Sequence, residues 1–203
     1  VLDKYGIGYI SYIISAIDSS VNLNGNEIPC ENDEDYVDII SLSLGGYGKP
    51  DDPVSLAIDV ASVCTVAVIA AGNEGPSYYT IGSPGTAKKA ITVGASYKKN
   101  YEGQHWEDQN PRIDQITSFS SRGPTAFRSS KPDIVAPGAI ICSSQYDNAW
   151  DESKCDGLVD EEHVQISGTS MATPYIAGVV AILKQAHPDW TPSEIKMALK
   201  NSA

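Results

Sequence analysis

The chain carries the stretch Ser167-Gly168-Thr169-Ser170-Met171-Ala172-Thr173-Pro174 shortly before its carboxyl end. Apolar residues recur after it at helical spacing. They predict a helix from about Met171 to Gln185 with Pro174 in its first turn, where a missing N–H costs nothing. Ser170 would then lie beside unpaired N–H groups and the positive end of the helix dipole. A hydroxyl there can act as a nucleophile, because the Ser170 N–H can help to bind a tetrahedral oxyanion. A serine taken alone would more simply be a helix N-cap, and the eight-residue context is what favours the nucleophile.

Length and charge limit the function classes. The 203 residues are enough for one domain with a substantial core. The formal net charge of −12 argues against nucleic acid as a partner, since phosphate binding needs clustered lysine and arginine. No apolar run is long enough to predict a membrane span. The first residues do not resemble a signal peptide, and Val1-Leu2 is typical of the end of a strand that begins before the chain does.

Hydrophobic patterning predicts helices that alternate with strands, and hence an α/β fold with a mostly parallel sheet and helices on both faces. The predicted helices cover about 9–21, 52–63 and 192–201, besides the one after Ser170, and the predicted strands cover 37–44, 64–71, 90–95, 117–121 and 134–136. Gly45 and Asn73 each follow a strand of a βαβ unit. Ligands of such sheets collect beyond the carboxyl ends of the strands, so this edge is the predicted site.

The cysteines and the acidic segments leave alternatives open. Cys142 and Cys155 flank an acidic loop. Either a disulfide between them closes this loop, or both remain free thiols. Cys64 is predicted to pack as a small hydrophobe, and Cys30 has no evident partner. The acidic residues of 22–35 predict a solvated surface loop. For the acidic residues of 146–162 calcium binding is a minor alternative, because the EF-hand spacing is absent.

Several motifs, in the same order along the chain, resemble those of the subtilisin-like serine proteases (subtilases). Besides the Ser170 stretch they are Gly6-Ile7-Gly8, Ser43-Leu44-Gly45-Gly46, Ala70-Ala71-Gly72-Asn73-Glu74-Gly75, Gly82-Ser83-Pro84-Gly85, Ser118-Phe119-Ser120-Ser121-Arg122-Gly123-Pro124 and Lys131-Pro132-Asp133-Ile134-Val135-Ala136-Pro137-Gly138. Each is weak evidence alone. Together with the Ser170 motif they identify the chain as a member of this family.

The resemblance implies a serine endopeptidase that hydrolyses peptide bonds through an acyl-enzyme on Ser170, with Asn73 in the oxyanion hole. The partner would be an extended polypeptide, bound as an added strand between two backbone walls. Gly6, Ile7 and Gly8 would form one wall, Ser43, Leu44 and Gly45 the other, and Ala70, Gly72 and Gly82 the S1 pocket, whose floor often has a cis proline in the family. The resemblance also implies secretion and no required cofactor. It is compatible with a structural calcium ion, although no metal ligands can be named.

One part of the family pattern is missing. Subtilases carry their catalytic aspartate and histidine before the serine, and both motifs should precede Gly6. His105, His163 and His187 are the only histidines, and none lies in a suitable context. We therefore expect 1–203 to be a single partial catalytic domain, its carboxyl-terminal portion, without its amino-terminal strands and inactive alone. The alternative is a catalytically dead subtilase-like module that binds peptides. The sequence upstream of Val1 would discriminate between them.

Overall fold

The computed structural model describes residues 1–23, 25, 30, 36–97, 115–146, 155 and 162–203. Most of the two acidic stretches and His105 lie outside these residues, so the predictions made for them stay predictions. The helices are α1 (Ile10–Val21), α2 (Pro53–Ala61), α3 (Thr169–Ala186) and α4 (Pro192–Ser202). The strands are β1 (Ile39–Leu42), β2 (Val66–Ala70), β3 (Ile91–Ser96), β4 (Ile134–Pro137), β5 (Ile141–Ser144) and β6 (His163–Ile166).

The main sheet has four parallel strands in the order β1-β2-β3-β4. Every residue of β2 is buried, as its continuous apolar sequence predicts. Val66 and Val68 pack towards α3 and α4, whereas Ala67 and Ile69 pack towards α1 and α2. This alternation buries both faces of the sheet and confirms the predicted α/β fold.

Helix capping fixes where α2 and α4 begin. The Asp52 carboxylate accepts hydrogen bonds from the N–H groups of Val54 and Ser55. Thr191 and Glu194 form the predicted capping box at α4. Such caps satisfy N–H groups that a helix leaves unpaired, and each typically contributes about 1 kcal/mol. None of the described helices combines the length and the apolarity that crossing a bilayer requires.

One strand prediction is wrong, and one pair of strands was not predicted. The segment 117–121 is not a strand. Its hydroxyl groups bond β3 from a turn, since Thr117 Oγ1 donates to the Ala95 carbonyl and Ser120 Oγ accepts from the Ala95 N–H. The antiparallel pair β5–β6 was not predicted, because three of the four β5 residues are exposed and leave little hydrophobic pattern.

The cysteines form two disulfides, Cys142–Cys155 and Cys30–Cys64. The first was one of the two alternatives left open by the sequence. The second was not predicted: Cys64 packs against the core as expected, but it is also the partner of Cys30 that the sequence did not reveal. This disulfide links the segment after α1 to the end of α2 across 34 residues. Pairing over such a separation cannot be deduced from spacing in one sequence.

A buried ion pair joins β3 to the start of β4. Lys131 is 6% exposed, and its ammonium group donates to the Ala90 carbonyl, Thr92 Oγ1 and Asp133 Oδ2. Asp133 also accepts from the Thr92 N–H. Burial lowers the pKa of Lys131 to about 8. Burial works against the charge of Asp133 too, but attraction to Lys131 and Lys196 and the hydrogen bonds outweigh it, so the pKa of Asp133 is lowered.

Candidate active site

Helix α3 begins at Thr169 after Gly168, which makes Ser170 the second helical residue. The helix therefore starts two residues before the predicted Met171. This start corrects the position of Pro174, which is the sixth helical residue and lies inside the helix, not in its first turn. At this position a residue other than proline would donate its N–H to the carbonyl of Ser170, and Pro174 cannot. Ser170 itself is half-buried at the carboxyl edge of the sheet.

Asn73 follows the carboxyl end of β2 and contacts the start of α3. The Thr169 N–H and the Thr169 hydroxyl both lie within hydrogen-bond distance of Asn73 Oδ1, at 2.9 and 3.0 Å. Thr169 is buried, and its hydroxyl oxygen also accepts from the Gly72 N–H at 3.2 Å. The structure thus brings together the β2 loop and the Ser170 helix, 96 residues apart in sequence.

The Asn73 amide nitrogen and the Ser170 N–H border the same small space. A Cβ atom built on Gly168 would lie 3.5 Å from Asn73 Nδ2 and 3.6 Å from the Ser170 nitrogen. Because Asn73 Oδ1 is held by Thr169, the amide nitrogen is left to face this space. Met171 Sδ lies beside the same Cβ position, also at 3.6 Å. Two N–H donors aimed at one point can hold a developing oxyanion, so these two nitrogen atoms are candidates for that role.

Ser43 and Ser170 exchange hydrogen bonds. Ser43 Oγ donates to the Ser170 carbonyl at 2.8 Å, and Ser170 Oγ donates to the Ser43 carbonyl at 3.4 Å. The second contact is long and therefore weak. Ser43 is exposed and comes directly after β1, and Leu44 follows it. The expected wall Ser43–Gly45 thus lies next to the predicted nucleophile.

The glycines of this region approach the protein's own backbone. A Cβ on Gly45 would lie 2.8 Å from the Ser83 carbonyl oxygen, and one on Gly82 would lie 2.8 Å from the Gly46 carbonyl oxygen. Gly46 and Ser83 exchange two backbone hydrogen bonds of 2.9 Å. Gly45 and Gly82 thus allow two segments of the chain to come into contact. The sequence did not reveal this reason for a glycine at these two positions.

The residues expected to form the S1 pocket lie close together. Gly82 donates through its N–H to the Ala71 carbonyl, which joins the 82–85 segment to the end of β2, where Ala70 is buried. Gly72 has a φ of +106°, which favours glycine, and a Cβ there would also meet Ser121 Oγ at 2.8 Å. The Ser83–Pro84 peptide is cis, as the resemblance implies.

Gly6, Ile7 and Gly8 are not in a strand. The Asp3 carboxylate accepts from the Ile7 N–H, the Asp3 N–H donates to the Ile7 carbonyl, and a Cβ on Gly8 would collide with the Val1 carbonyl oxygen. These contacts form a turn around Asp3. The role of this segment as a substrate wall stays a prediction.

The described histidines do not lie beside Ser170. His187 caps the far end of α3, about 25 Å along the helix from Ser170, and stacks on Trp190 with ring centroids 3.8 Å apart. His163 begins β6, at the end remote from Gly168. No described group of three His, Cys, Asp or Glu side chains could hold a metal ion.

Three features of the site were not predicted, namely the Thr169 hydroxyl, the position of Gly168 beside Asn73 Nδ2 and the Ser43 hydroxyl. Thr169 and Gly168 flank the nucleophile in the quoted motif, so their place in the sequence was a usable signal. Ser43 contributes through its side chain, whereas the prediction concerned its backbone. The indirect signal for it was a proline four residues after Ser170, which leaves the Ser170 carbonyl without its helical donor.

Comparison with known proteins identifies the family of the chain. The family model described as "Subtilase family" matches residues 3–203. Serine protease AprX from Bacillus subtilis is 40% identical over 208 residues, which cover 99% of this chain and 44% of AprX. Pyrolysin from Pyrococcus furiosus is 40% identical over 189 residues, which cover 82% of this chain and 13% of pyrolysin. The chain thus spans less than half the length of these relatives.

Solved structures show the same relationship. Sphericase superposes with a TM-score of 0.73 at 28% identity, over 100% of this chain and 58% of that protein. S41 psychrophilic protease also gives a TM-score of 0.73, at 27% identity, over 99% of this chain and 58% of its own. With the family model matching nearly every residue and the helix-borne serine at the carboxyl edge of a parallel sheet, the chain belongs to the subtilase family of serine proteases.

Proposed function

We propose that the chain forms part of the catalytic domain of a serine endopeptidase, in which Ser170 is the nucleophile and Asn73 is an oxyanion-hole residue. The observation that carries the proposal is the pair of Thr169 contacts to Asn73 Oδ1, at 2.9 and 3.0 Å. They occupy the amide oxygen, which leaves the amide nitrogen as the donor that would bind the oxyanion together with the Ser170 N–H. This arrangement suits acyl transfer, in which negative charge develops on a carbonyl oxygen.

The chemistry would proceed in two stages. Ser170 Oγ forms a bond to the scissile carbonyl carbon and loses its proton to a general base, while Asn73 Nδ2 and the Ser170 N–H bind the oxyanion. The carbon–nitrogen bond then breaks, the base returns the proton to the leaving amine, and an acyl ester remains on Ser170. Water adds to the ester with the same base, and the acid product leaves.

We propose that the base comes from outside these 203 residues. Of the described histidines, neither His163 nor His187 is close to Ser170, and His105 lies in no suitable sequence context. A serine without a base is a poor nucleophile at neutral pH. The long contact between Ser170 Oγ and the Ser43 carbonyl, 3.4 Å, does not activate the hydroxyl, since a carbonyl cannot keep its proton. We therefore expect no measurable proteolysis by the chain alone.

The sheet supports association with further polypeptide. Strand β1 is the edge of the four-stranded sheet, and an edge strand offers unpaired backbone groups. An apolar groove lies beside it, lined by Val1, Ile13, Ile17, Ile40, Leu42 and Leu44. On the neighbouring helix α3, Tyr175, Val179 and Ile182 are exposed by 49%, 42% and 67%. We propose that the amino-terminal part of the catalytic domain covers this surface.

The proposed substrate is an extended polypeptide that pairs with the exposed backbone after β1 at Ser43–Gly45. The proposed location is extracellular. Two disulfides support it, because disulfides form and persist in oxidising compartments. Mass spectrometry of the secreted protein should recover peptides crosslinked through Cys30–Cys64 and Cys142–Cys155.

A chimera tests the proposed function. This chain would replace the matched segment of AprX, 44% of that protein, so that AprX supplies the remaining polypeptide. We expect the chimera to hydrolyse casein and the Ser170→Ala chimera to be inactive. A folded chimera that binds peptides without cleaving them would contradict the proposal and favour the peptide-binding module.

A further inference from the structure

The start of α3 contains a carbonyl group that the helix itself does not bond in the usual way. In an α-helix the N–H of residue i bonds the carbonyl of residue i−4, so the Ser170 carbonyl would accept from residue 174. Residue 174 is proline and has no N–H, and its ring also crowds that carbonyl. The carbonyl group of the residue that would carry the nucleophile therefore lacks its helical N–H donor.

Ser43 supplies the missing donor from outside the helix. Its hydroxyl donates to the Ser170 carbonyl at 2.8 Å, a normal distance for a strong O–H···O bond, although the two residues are 127 apart in sequence. Ser43 lies directly after β1, so its backbone is anchored to the sheet through the neighbouring pair Leu42 and Ile69. A hydroxyl on a fixed strand end thus replaces a helical N–H.

We propose that Ser43 is a positioning residue, whose hydroxyl compensates for the N–H that Pro174 lacks and so fixes the Ser170 turn against the end of β1. The inference rests on the proposed function of Ser170 as nucleophile. The same contact sets the distance between the nucleophile and the Ser43–Gly45 backbone, which is the expected substrate wall. The Ser43 hydroxyl does not touch the reacting atoms and acts through the Ser170 backbone.

The test is a double-substitution cycle in the AprX chimera, with active sites counted by fluorophosphonate titration. Ser43→Ala should lower kcat about fivefold and leave KM within about twofold, the effect of losing one ordinary hydrogen bond. Pro174→Ala restores a helical N–H to the Ser170 carbonyl. In the Pro174→Ala variant, Ser43→Ala should lower kcat by less than about twofold, because the Ser43 hydroxyl is no longer needed.

Two further variants separate positioning from folding. Ser43→Thr keeps the hydroxyl and should retain kcat within about twofold. Ser41→Ala is the matched control, since Ser41 is an exposed serine of β1 without a role in the site, and it should leave kcat unchanged. A purely structural defect would reduce the number of titratable sites without reducing the labelling rate per site.

The inference would be overturned if Ser43→Ala lowered kcat equally in the parent chimera and in the Pro174→Ala variant. It would also be overturned if Ser43→Ala did not lower kcat in the parent chimera. A loss with Ser43→Thr as large as with Ser43→Ala would overturn it too. These outcomes leave the proposed function intact, provided that the parent chimera is labelled at Ser170. A folded parent that is not labelled would overturn the proposed function and this inference with it.

Discussion

Asn73 Oδ1 lies 2.9 Å from the Thr169 nitrogen and 3.0 Å from the Thr169 hydroxyl oxygen. Because the amide oxygen is occupied on the side of the buried Thr169, the amide nitrogen faces the side of Gly168 and the Ser170 N–H. The orientation of a side-chain amide is thus fixed by the residue immediately before the proposed nucleophile. Substitutions at this contact, and in the packing behind it, should therefore have separate effects on catalysis and on stability.

Replacing Asn73 should abolish most of the activity. In the AprX chimera, Asn73→Ala should lower kcat by about 10²–10³-fold, a magnitude that we borrow from the loss of such a donor in subtilisin. Asn73→Asp should lose at least as much. It keeps an oxygen for the Thr169 contacts but offers no N–H to the oxyanion. Steady-state kinetics on casein-derived peptides measures both, and an active Asn73→Asp variant would contradict the donor role.

A methyl group at Gly168 should interfere with the reaction and not with the fold. The φ of Gly168 is 164°, an extended backbone that alanine also adopts, yet its Cβ would enter the space between Asn73 Nδ2 and the Ser170 nitrogen. We expect Gly168→Ala to lower kcat about tenfold, or roughly 1.4 kcal/mol of transition-state stabilisation.

Gly178→Ala is the control for this substitution. Gly178 lies inside α3, which Gly168 directly precedes, and a Cβ on Gly178 has no neighbour within 4 Å. We expect it to stabilise the helix by about 0.5–1 kcal/mol and to leave kcat unchanged. Equal kcat values for the two alanine variants would show that the space beside Gly168 is not used in catalysis.

The two members of the buried ion pair should respond differently to removal. Asp133→Ala leaves the Lys131 ammonium buried without its carboxylate and should lower the free energy of unfolding by about 3–5 kcal/mol. Lys131→Met should cost less, because Asp133 keeps Lys196 and Lys200 as partners at 3.2 and 3.3 Å. Urea unfolding of the Ser170→Ala chimera, which cannot digest itself, measures both values. A larger loss for Lys131→Met would contradict this explanation.

Lys131 should also make stability depend on alkaline pH. Its folded-state pKa is about 8, below the ordinary value of 10.5, so between these values the unfolded chain binds more protons than the folded one. The free energy of unfolding should therefore rise with pH through this window, by up to about 3 kcal/mol. Lys131→Met should remove the rise, and an identical pH profile for parent and variant would refute this assignment.

The main elements of the fold were predictable because their sequence pattern coincides with their burial. β2 is apolar at each position and is buried at each position, and α4 carries a complete capping box. β5 has no such pattern, because its buried Ile141 is followed by three exposed residues. It pairs with β6, which lies further along the chain. Local pattern does not specify such a pairing.

The site was predictable in its residues and less so in its contacts. The motifs placed Ser170 and Asn73 at the same sheet edge, but the reason for Gly45 and Gly82 is the mutual approach of two backbone segments, which only the fold reveals. Pro174 was misplaced because the helix begins two residues earlier than its apolar pattern indicates. Because of that earlier start, the Ser170 carbonyl lies within the helix, where we propose that the Ser43 hydroxyl replaces the missing donor.

Labelling of the AprX chimera with a fluorophosphonate, followed by peptide mapping, tests the central claim most directly. The proposed function predicts one adduct per molecule, located on Ser170, and much slower labelling of the Asn73→Ala variant. An adduct on another residue, or no adduct on Ser170 in a folded chimera, would contradict the assignment of the nucleophile.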